Sequence, residues 1–533
     1  MPTSLPVSIF NDVLGPVMRG ASSSHCAAAL RIGRLARDLM NGNIQSVVWD
    51  MDVSGSLPAT HDGQGSDMGL CGGLLGWDAT DDRLPNSPDW LKQAGVHLEI
   101  RVADLKDPHP NTYRLKLRNS QETRELIAVS TGGGMIQILS IDGCAFDFAG
   151  DCEVQLLFLN STTDAPAPTP ASTDTRVSCH LNKTGAGFVA VRGAKDIADS
   201  IAQHLQPPTR FVASRTLHPV LPVTTKPGMQ ALFTSCTQLL DQTGNPAANL
   251  ADLATQYESA RGCVPPDEVR QLARELITIF RNSIEQGRAG TTYADRILPA
   301  QTPGFEQALK QGTLLDAGAL NRILLYVSAL MEVKSSMGVI VAAPTAGACA
   351  ALPAAILGMA DHLGKSDAEA ADALLAAGLI GVFIASSWTF AAEVGGCQAE
   401  GGSAACMAAA GLVTLAGGNH VQATTAAAMA LQNMLGLICD PVANRVEVPC
   451  LGKNIMAASN ALACANLALA GFDGVIPLDE VIEAARKVSS QMPRELRCTG
   501  LGGLAATPTS NAILNRLATG QGTGCSSCTS PAC

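Results

Sequence analysis

Aromatic residues are scarce in this sequence: twelve Phe, four Tyr and four Trp make up only 4% of 533 residues. Charged residues are scarce as well, at 16%. A chain this poor in rings has to fill its interior with small side chains, which favours closely approaching helices. With 47% apolar residues it is not a disordered chain. No stripe of Lys and Arg occurs, and the net charge is −11, which argues against a nucleic-acid partner. The acidity reads as ordinary solubility. The first residues, MPTSLPVSIF, lack the charged lead and apolar run of a secretory signal. The apolar stretch 371–385 is broken by glycines and followed by Ser386 and Ser387, so it reads as a buried core helix rather than a membrane span, and the expected location is the cytosol. No repeat of 20–50 residues is present.

Cysteine, by contrast, is plentiful: 17, an odd number spread along the chain. Disulfide frameworks belong to small secreted domains, whereas in a large cytosolic enzyme clustered cysteines signal metal binding or catalysis. Most are expected to be small buried apolar residues. Three stand in unusual surroundings: Cys397 in GGCQAEGG, Cys439 in LICDPV and Cys450 in VEVPC, each beside Gly or Pro at an expected break between helices. Gaps of 42 and 11 residues do not fit the paired spacing of zinc ribbons. They fit either a cluster wrapped by distant loops or three buried structural thiols. Three thiolates can hold a [4Fe–4S] cluster, although four are usual.

The length suggests two or three domains. Residues 1–160 mix helix and strand signals, an α+β pattern. A helix is expected over 27–39, with Ser22–Ser24 as N-cap candidates. Strands are expected over 46–53, 97–102, 126–130 and 152–159, and a glycine turn at Gly132–Gly134. The stretch 161–175, NSTTDAPAPTPASTDT with Asn160, is a Pro/Thr-rich linker or loop. Residues 176–227 suggest a small αβ module or connection. From 228 to 520 the pattern is helical, with helices expected over 229–240, 266–286, 318–333, 352–363, 367–386, 404–415, 424–437, 454–470 and 479–491. A Gly/Ser/Thr-rich tail, 521–533, carries Cys525, Cys528 and Cys533. The CxxC of Cys525 and Cys528 reads as tail composition.

Four segments resemble the α-domain of the iron–sulfur-dependent L-serine dehydratases: GVIVAAPTAGACAALPAAILGMAD (338–361), EVGGCQAEGGSAACMAAAGLVTLAGG (393–418), LICDPVANRVEVPCLGKN (437–454) and RCTGLGGLAATPTS (497–510). FNDVLGPVMRGASSSHCAAALRIG (10–33), GSLPAT (55–60), HPNTYRL (109–115) and the GGG turn resemble the β-domain of the same family. The resemblance covers nearly the whole chain, in the single-chain order β then α. It implies an α+β domain, similar to the allosteric substrate-binding domain of some phosphoglycerate dehydrogenases, before an all-helical domain carrying the cluster. It implies Cys397, Cys439 and Cys450 as the three ligands of a [4Fe–4S] cluster whose fourth iron takes the substrate. Cys533 matches family members whose terminal cysteine caps that iron at rest. The implied activity is dehydration of L-serine to pyruvate and ammonia without pyridoxal phosphate, by a homodimer.

The reaction needs a base for the α-proton, help for the departing hydroxyl, and groups that hold the carboxylate and amine. His25, His61 and His109 are the candidate catalytic histidines because they sit in motif-like loops. The family pattern reads roughly GSLALTGKGHGTD, where this chain has GSLPATHDGQGSD. Gln64 occupies the usual histidine position and His61 lies three residues earlier, so the base is His61 or another group. Ser22, Ser23 and Ser24 with the following backbone form a candidate carboxylate site at a helix start. Thr345, Ala346 and Gly347 are candidate substrate contacts, as are Asn111 and Thr112. Glu393, Glu400, Asp440 and Glu447 beside the cysteines either orient ligands or are solvent-facing loop charges. A related dehydratase acting on threonine or another β-hydroxy amino acid, motivated by Gln64 and Cys26, and a non-catalytic iron–sulfur sensor are the alternatives.

Overall fold

The computed structural model describes residues 6–20, 22–160, 176–193, 195–204, 211–226, 228–293, 296–443, 445 and 447–519. The chain divides into two compact units, one of Met1–Gln230 with Arg261–Cys263 and one of Ala231–Ala260 with Val264–Cys533. The expected linker 161–175 and tail 521–533 lie outside the described residues, and so do Cys525, Cys528 and Cys533.

The N-terminal unit is built on two sheets. Its strands are β1 (Ser46–Asp52), β2 (His97–Ala103), β3 (Thr112–Arg118), β4 (Thr123–Gly132), β5 (Met135–Ile141), β6 (Cys144–Phe148), β7 (Val154–Leu159), β8 (Val177–Leu181), β9 (Gly187–Arg192) and β10 (Phe211–Leu217). The six-stranded sheet runs β2-β1-β3-β4-β5-β6, and the four-stranded sheet β10-β7-β9-β8. β1 and β2 are parallel, so a crossover must join them. It carries α2 (Ser66–Leu75) and α3 (Ser87–Gln93), while α1 (Ala28–Leu39) precedes β1. The remaining pairs of the larger sheet are antiparallel, β1 with β3 across the crossover and β3 to β6 as successive hairpins, turned between β4 and β5 at Gly132–Gly134, whose φ values of 106°, 60° and 86° require glycine. β3, β5, β6 and β8 are additional to the expected strands, while β9 and β10 lie within the expected αβ module. β7 lies inside the smaller sheet, paired on one side with β9 and on the other with β10. Residues 176–217 therefore complete a sheet begun before the linker, with α4 (Lys195–His204) beside it, instead of forming a separate module. The main core gathers Trp49, Tyr113, Phe146, Phe148 and Phe188, with Trp49 stacked on Tyr113 at 5.1 Å.

The second unit is helical among its described residues. Its main helices are α5 (Pro266–Ala289), α6 (Ala319–Ser335), α7 (Ala351–Leu363), α8 (Asp367–Ser387), α9 (Ser403–Leu415), α10 (His420–Gln432), α11 (Val448–Leu469) and α12 (Leu478–Gln491). Leu250–Gly262, Thr302–Lys310 and Pro508–Ala518 are helices beyond those expected, and the one expected over 229–240 is confined to Cys236–Gln242, started by the Ser235 cap. α10 begins early because Asn419 and Gln422 form a capping box. α11 also begins early, at Val448, with Pro449 in its first turn. Every residue of α9 is buried, and it packs against α7, α8, α10 and α11. Alanine and glycine make this approach possible: a Cβ on Gly411 would stand 2.9 Å from the Ala373 carbonyl oxygen of α8. α8 is the one described helix long and apolar enough to cross a membrane by length and composition, and 78% of that window is buried within the protein.

Candidate thiol site and the motif loops

The thiols gather at the start of the central helix. Cys397 opens a π-helical turn, Gln398–Gly402, that runs directly into α9. π-turns inside helices recur at functional sites because they displace one side chain from the regular ladder. Cys439 lies on a non-helical stretch bonded to residues 496–498, its N–H donating to the Leu496 carbonyl at 2.9 Å and its carbonyl accepting from Cys498 N–H at 3.1 Å. Gln398 joins the two loops: its N–H donates to the Leu437 carbonyl at 3.0 Å, and its Oε1 accepts from Gly436 N–H at 2.8 Å. Cys450 is inside the first turn of α11, so the expectation that each cysteine marks a break between helices holds for Cys397 and Cys439 and not for Cys450.

All three are buried. The Cys439 thiol sits against those of Cys397 and Cys498, and these contacts together with burial hold its pKa far above the ordinary thiol value. Cys450 is raised too, first by burial, with Cys397 adding to it against the pull of Lys334 and Lys453. Lys453 and Asn454 follow Cys450 on α11 at the spacing that shares a helix face. Lys453 Nζ stands 3.6 Å from Cys397 Sγ, 2.7 Å from the Ile438 carbonyl and 2.5 Å from Asp440 Oδ1. Burial works against its charge, but Cys397 and Asp440 offset that and hold it above the usual lysine value. Asp440 also accepts from Leu504 N–H at 3.0 Å.

The PTAGAC turn is tied to the same helix. Asn454 Nδ2 donates to the carbonyls of Gly347 (2.8 Å) and Cys450 (2.7 Å), and its Oδ1 accepts from Ala351 N–H at 2.9 Å. Thr345 Oγ1 donates to Glu400 Oε1 at 2.8 Å. Gly347 packs so closely that a Cβ there would lie 2.8 Å from Glu400 Oε2. Ala346 is buried between them in sequence. Glu400 has its pKa raised to about 7, chiefly by burial and then by Glu393, against the Thr345 bond and the charges of Lys334 and Lys453. The other acidic candidates separate: Glu393 is exposed, while Glu447 is buried and accepts from Tyr293 Oη (2.7 Å) and from Ile297 and Leu298 N–H (both 3.1 Å), a structural role.

In the N-terminal unit the motif loops converge on one another. Ser22 shows extended backbone but makes no capping bond. Its Oγ lies 2.9 Å from His25 Nδ1, and Ser24 Oγ lies 3.3 Å from the same nitrogen, in a π-turn, Ser23–Ala27, that leads into α1. Ser23 is buried, and the Ser24 carbonyl accepts from Ser130 Oγ at 2.7 Å. The expected N-cap is thus replaced by a serine–histidine cluster. His25 is buried and its pKa falls to about 4, so it is a poor proton acceptor. His61 is different: its Nδ1 lies 2.7 Å from Asp67 Oδ1 and its ring stands edge-on to Trp49. His109 has its pKa lowered by burial, and its Nδ1 accepts from Asn111 N–H at 3.2 Å. Thr112 Oγ1 donates to the His109 carbonyl at 2.7 Å, and Asn111 Oδ1 accepts from Ser56 Oγ of the GSLPAT loop. Gly65 and Gly69 pack against Cys26, and Tyr113 Oη donates to Ser66 Oγ at 3.2 Å, which brings residues 22–26, 61–69 and 109–113 together.

Lys453, Asn454, Cys498 and the link from Glu400 to Thr345 were not singled out as partners by the residue pattern. The helical spacing Cys450–Lys453–Asn454 was the available signal for the first two. Among the described residues no three His, Cys, Asp or Glu side chains close around a single metal ion. A cluster with four irons is larger than an ion, and its thiolates each take a different iron. Three buried cysteines brought to one region of the helical unit supply the thiol donors that such a polynuclear cation takes.

The described residues thus bring buried thiols from two helix starts and one loop of the helical unit close to the Lys453 ammonium. Comparison with known proteins carries this further. Residues 219–505 match the family model "Serine dehydratase alpha chain". The probable L-serine dehydratase alpha chain of Bacillus subtilis is 34% identical over 286 residues, 54% of this chain and 95% of that protein. The L-serine dehydratase alpha chain of Peptoniphilus asaccharolyticus is 33% identical over 286 residues, 53% of this chain and 97% of its own. The probable L-serine dehydratase beta chain of Bacillus subtilis is 37% identical over 144 residues, 27% of this chain and 64% of that one. The chain belongs to the serine dehydratase alpha-chain family.

Proposed function

We propose that this protein is an L-serine ammonia-lyase that converts L-serine to pyruvate and ammonia, with a [4Fe–4S] cluster held by Cys397, Cys439 and Cys450. The observation that carries the reading is the meeting of these thiols, far apart in sequence, at the buried head of α9 beside Lys453. Bound there, the cluster supplies a Lewis acid for a hydroxyl that is otherwise a poor leaving group.

The chain's own residues do the rest. Lys453 places a positive charge beside Cys397 and, through Ile438 and Asp440, fastens the Cys439 loop to α11. Asn454 fixes the turn of Thr345, Ala346 and Gly347 against the backbone of Cys450, which suits these residues to orient a small substrate. Of the three candidate histidines, His61 has its ring oriented by the Asp67 carboxylate, and we assign it the α-proton. Loss of water leaves an enamine, which tautomerises to an imine and hydrolyses in water without further groups from the protein. The full chain, reconstituted anaerobically with iron and sulfide, should gain cluster absorbance and form pyruvate from L-serine, with L-threonine a poor substrate. A preparation that binds no iron, or that holds a cluster and turns over neither amino acid, overturns the reading.

A further inference from the structure

The carboxyl of Glu400 has no part in the family assignment, yet its position is specific. It projects from the π-turn one residue triplet after Cys397 and meets the PTAGAC turn: Oε1 accepts from Thr345 Oγ1, and Oε2 faces the bare Cα of Gly347, where even a methyl group would stand 2.8 Å away. Glycine at 347 therefore lets the whole carboxyl group settle against the turn backbone, where Thr345 fixes one of its oxygens. That is the arrangement of an acid positioned against the turn of the proposed substrate residues.

We propose, building on the serine dehydratase reading, that Glu400 is the catalytic acid that protonates the departing β-hydroxyl. In this step the Cα–H bond gives its proton to a base of the chain and its electron pair to the new Cα=Cβ bond. The Cβ–O bond breaks with its pair on oxygen, and the Glu400 carboxyl supplies the proton that makes the leaving group water. Glu400 returns to its acid form from solvent. The environment keeps the acid form available near neutrality: burial and Glu393 raise its proton affinity, Lys334 and Lys453 lower it, and the thiols of Cys349 and Cys450 lie within electrostatic reach.

Glu400→Gln, isosteric and unable to give a proton, is the test in the reconstituted full chain. It should keep iron content and cluster absorbance while pyruvate formation from L-serine falls by about 10²–10⁴-fold. β-Chloro-L-alanine, whose chloride leaves without a proton, should still be converted at close to the wild-type rate. Undiminished serine turnover in the variant, or equal losses on both substrates with the cluster intact, overturns the assignment. Should Glu400→Gln fail to fold, Thr345→Val decides. Removing the hydroxyl that stabilises the carboxylate raises the pKa of Glu400, so the alkaline limb of the kcat profile must move to higher pH, and an unmoved limb overturns it. Wild-type protein with a cluster and no pyruvate would defeat the serine dehydratase reading itself, a separate result.

Discussion

The two units treat their polar motif residues in opposite ways. In the N-terminal unit these groups have found one another: His25 with Ser22 and Ser24, His61 with Asp67, Asn111 with Ser56. In the helical unit the thiols of Cys397, Cys439 and Cys498 have mainly each other, and for Cys439 that neighbourhood opposes ionisation. A network of satisfied hydrogen bonds orders its loops unaided. Packed thiols beside a half-buried ammonium are, on the proposed reading, completed by a cation that takes them as thiolates. The first unit thus orders its motif loops by their own hydrogen bonds, and the proposed cluster would do the same for the second.

The sharpest way to break that contrast is to delete a thiol. Cys439→Ala should abolish cluster absorbance and pyruvate formation together, since the remaining ligands cannot fix the cluster. The variant should keep the circular dichroism of a helical protein, because the helices are held by buried Ala and Leu rather than by thiols. Full iron content in this variant would show that Cys439 is an ordinary core residue. The next largest effect tests the other unit. His61→Ala should lower turnover by about 10²–10⁴-fold, the range for a lost general base, with the cluster spectrum unchanged. Asp67→Asn, which leaves the imidazole in place but removes its charged partner, should cost less. Equal activity in His61→Ala and wild type would return His61 to a structural role beside Trp49.

How much of this was legible in the residues follows from the range of the forces involved. The helices of the second unit could be read closely: α7, expected over 352–363, runs Ala351–Leu363, and α12, expected over 479–491, runs Leu478–Gln491. Their periodicity and caps are local. The strands β3, β5 and β6 were missed because they belong to hairpins whose register depends on neighbours. The extent of the first unit was also hidden, because β7 is completed by β9 and β10 from beyond the linker. At the site, the cysteines stood out through their glycine and proline settings. The bond from Thr345 to Glu400 spans 55 positions and that from Asn454 to Gly347 spans 107, distances over which no local pattern carries a signal. The serine run read as a helix cap turned out to be spent on an imidazole, since a π-turn that takes in Ser23 and Ser24 precedes α1.

Two smaller effects concern the packing inside each unit. Gly69 on α2 packs against the Cys26 carbonyl so tightly that an added Cβ would lie 2.1 Å from its oxygen. Gly69→Ala should therefore force the π-turn away from α2 and destabilise the N-terminal unit by about 1–3 kcal/mol, the usual cost of overpacking. Denaturant unfolding should register the loss. Unchanged stability would show that the π-turn gives way to the added methyl group at no cost.

The smallest effect concerns α8, whose start is fixed by a capping box: Ser366 Oγ accepts from Glu369 N–H at 3.3 Å, and the Glu369 carboxylate accepts from Ser366 N–H at 2.8 Å. Ser366→Ala removes the first of these bonds together with the one that Ser366 Oγ donates to the Glu369 carboxylate at 2.8 Å, and should cost about 1 kcal/mol. The Glu369 carboxylate is held below its ordinary range by Lys365 first and then by Ser366. The stability it contributes is present above the unfolded carboxylate pKa and is lost as pH falls through the folded value, near 2. The cost of Ser366→Ala should then be largest at neutral pH and shrink in acid, once the carboxylate is protonated and the box is already broken. A cost that stays constant from neutrality into acid would mean that the hydroxyl acts alone and that α8 is held by its apolar packing from the first turn.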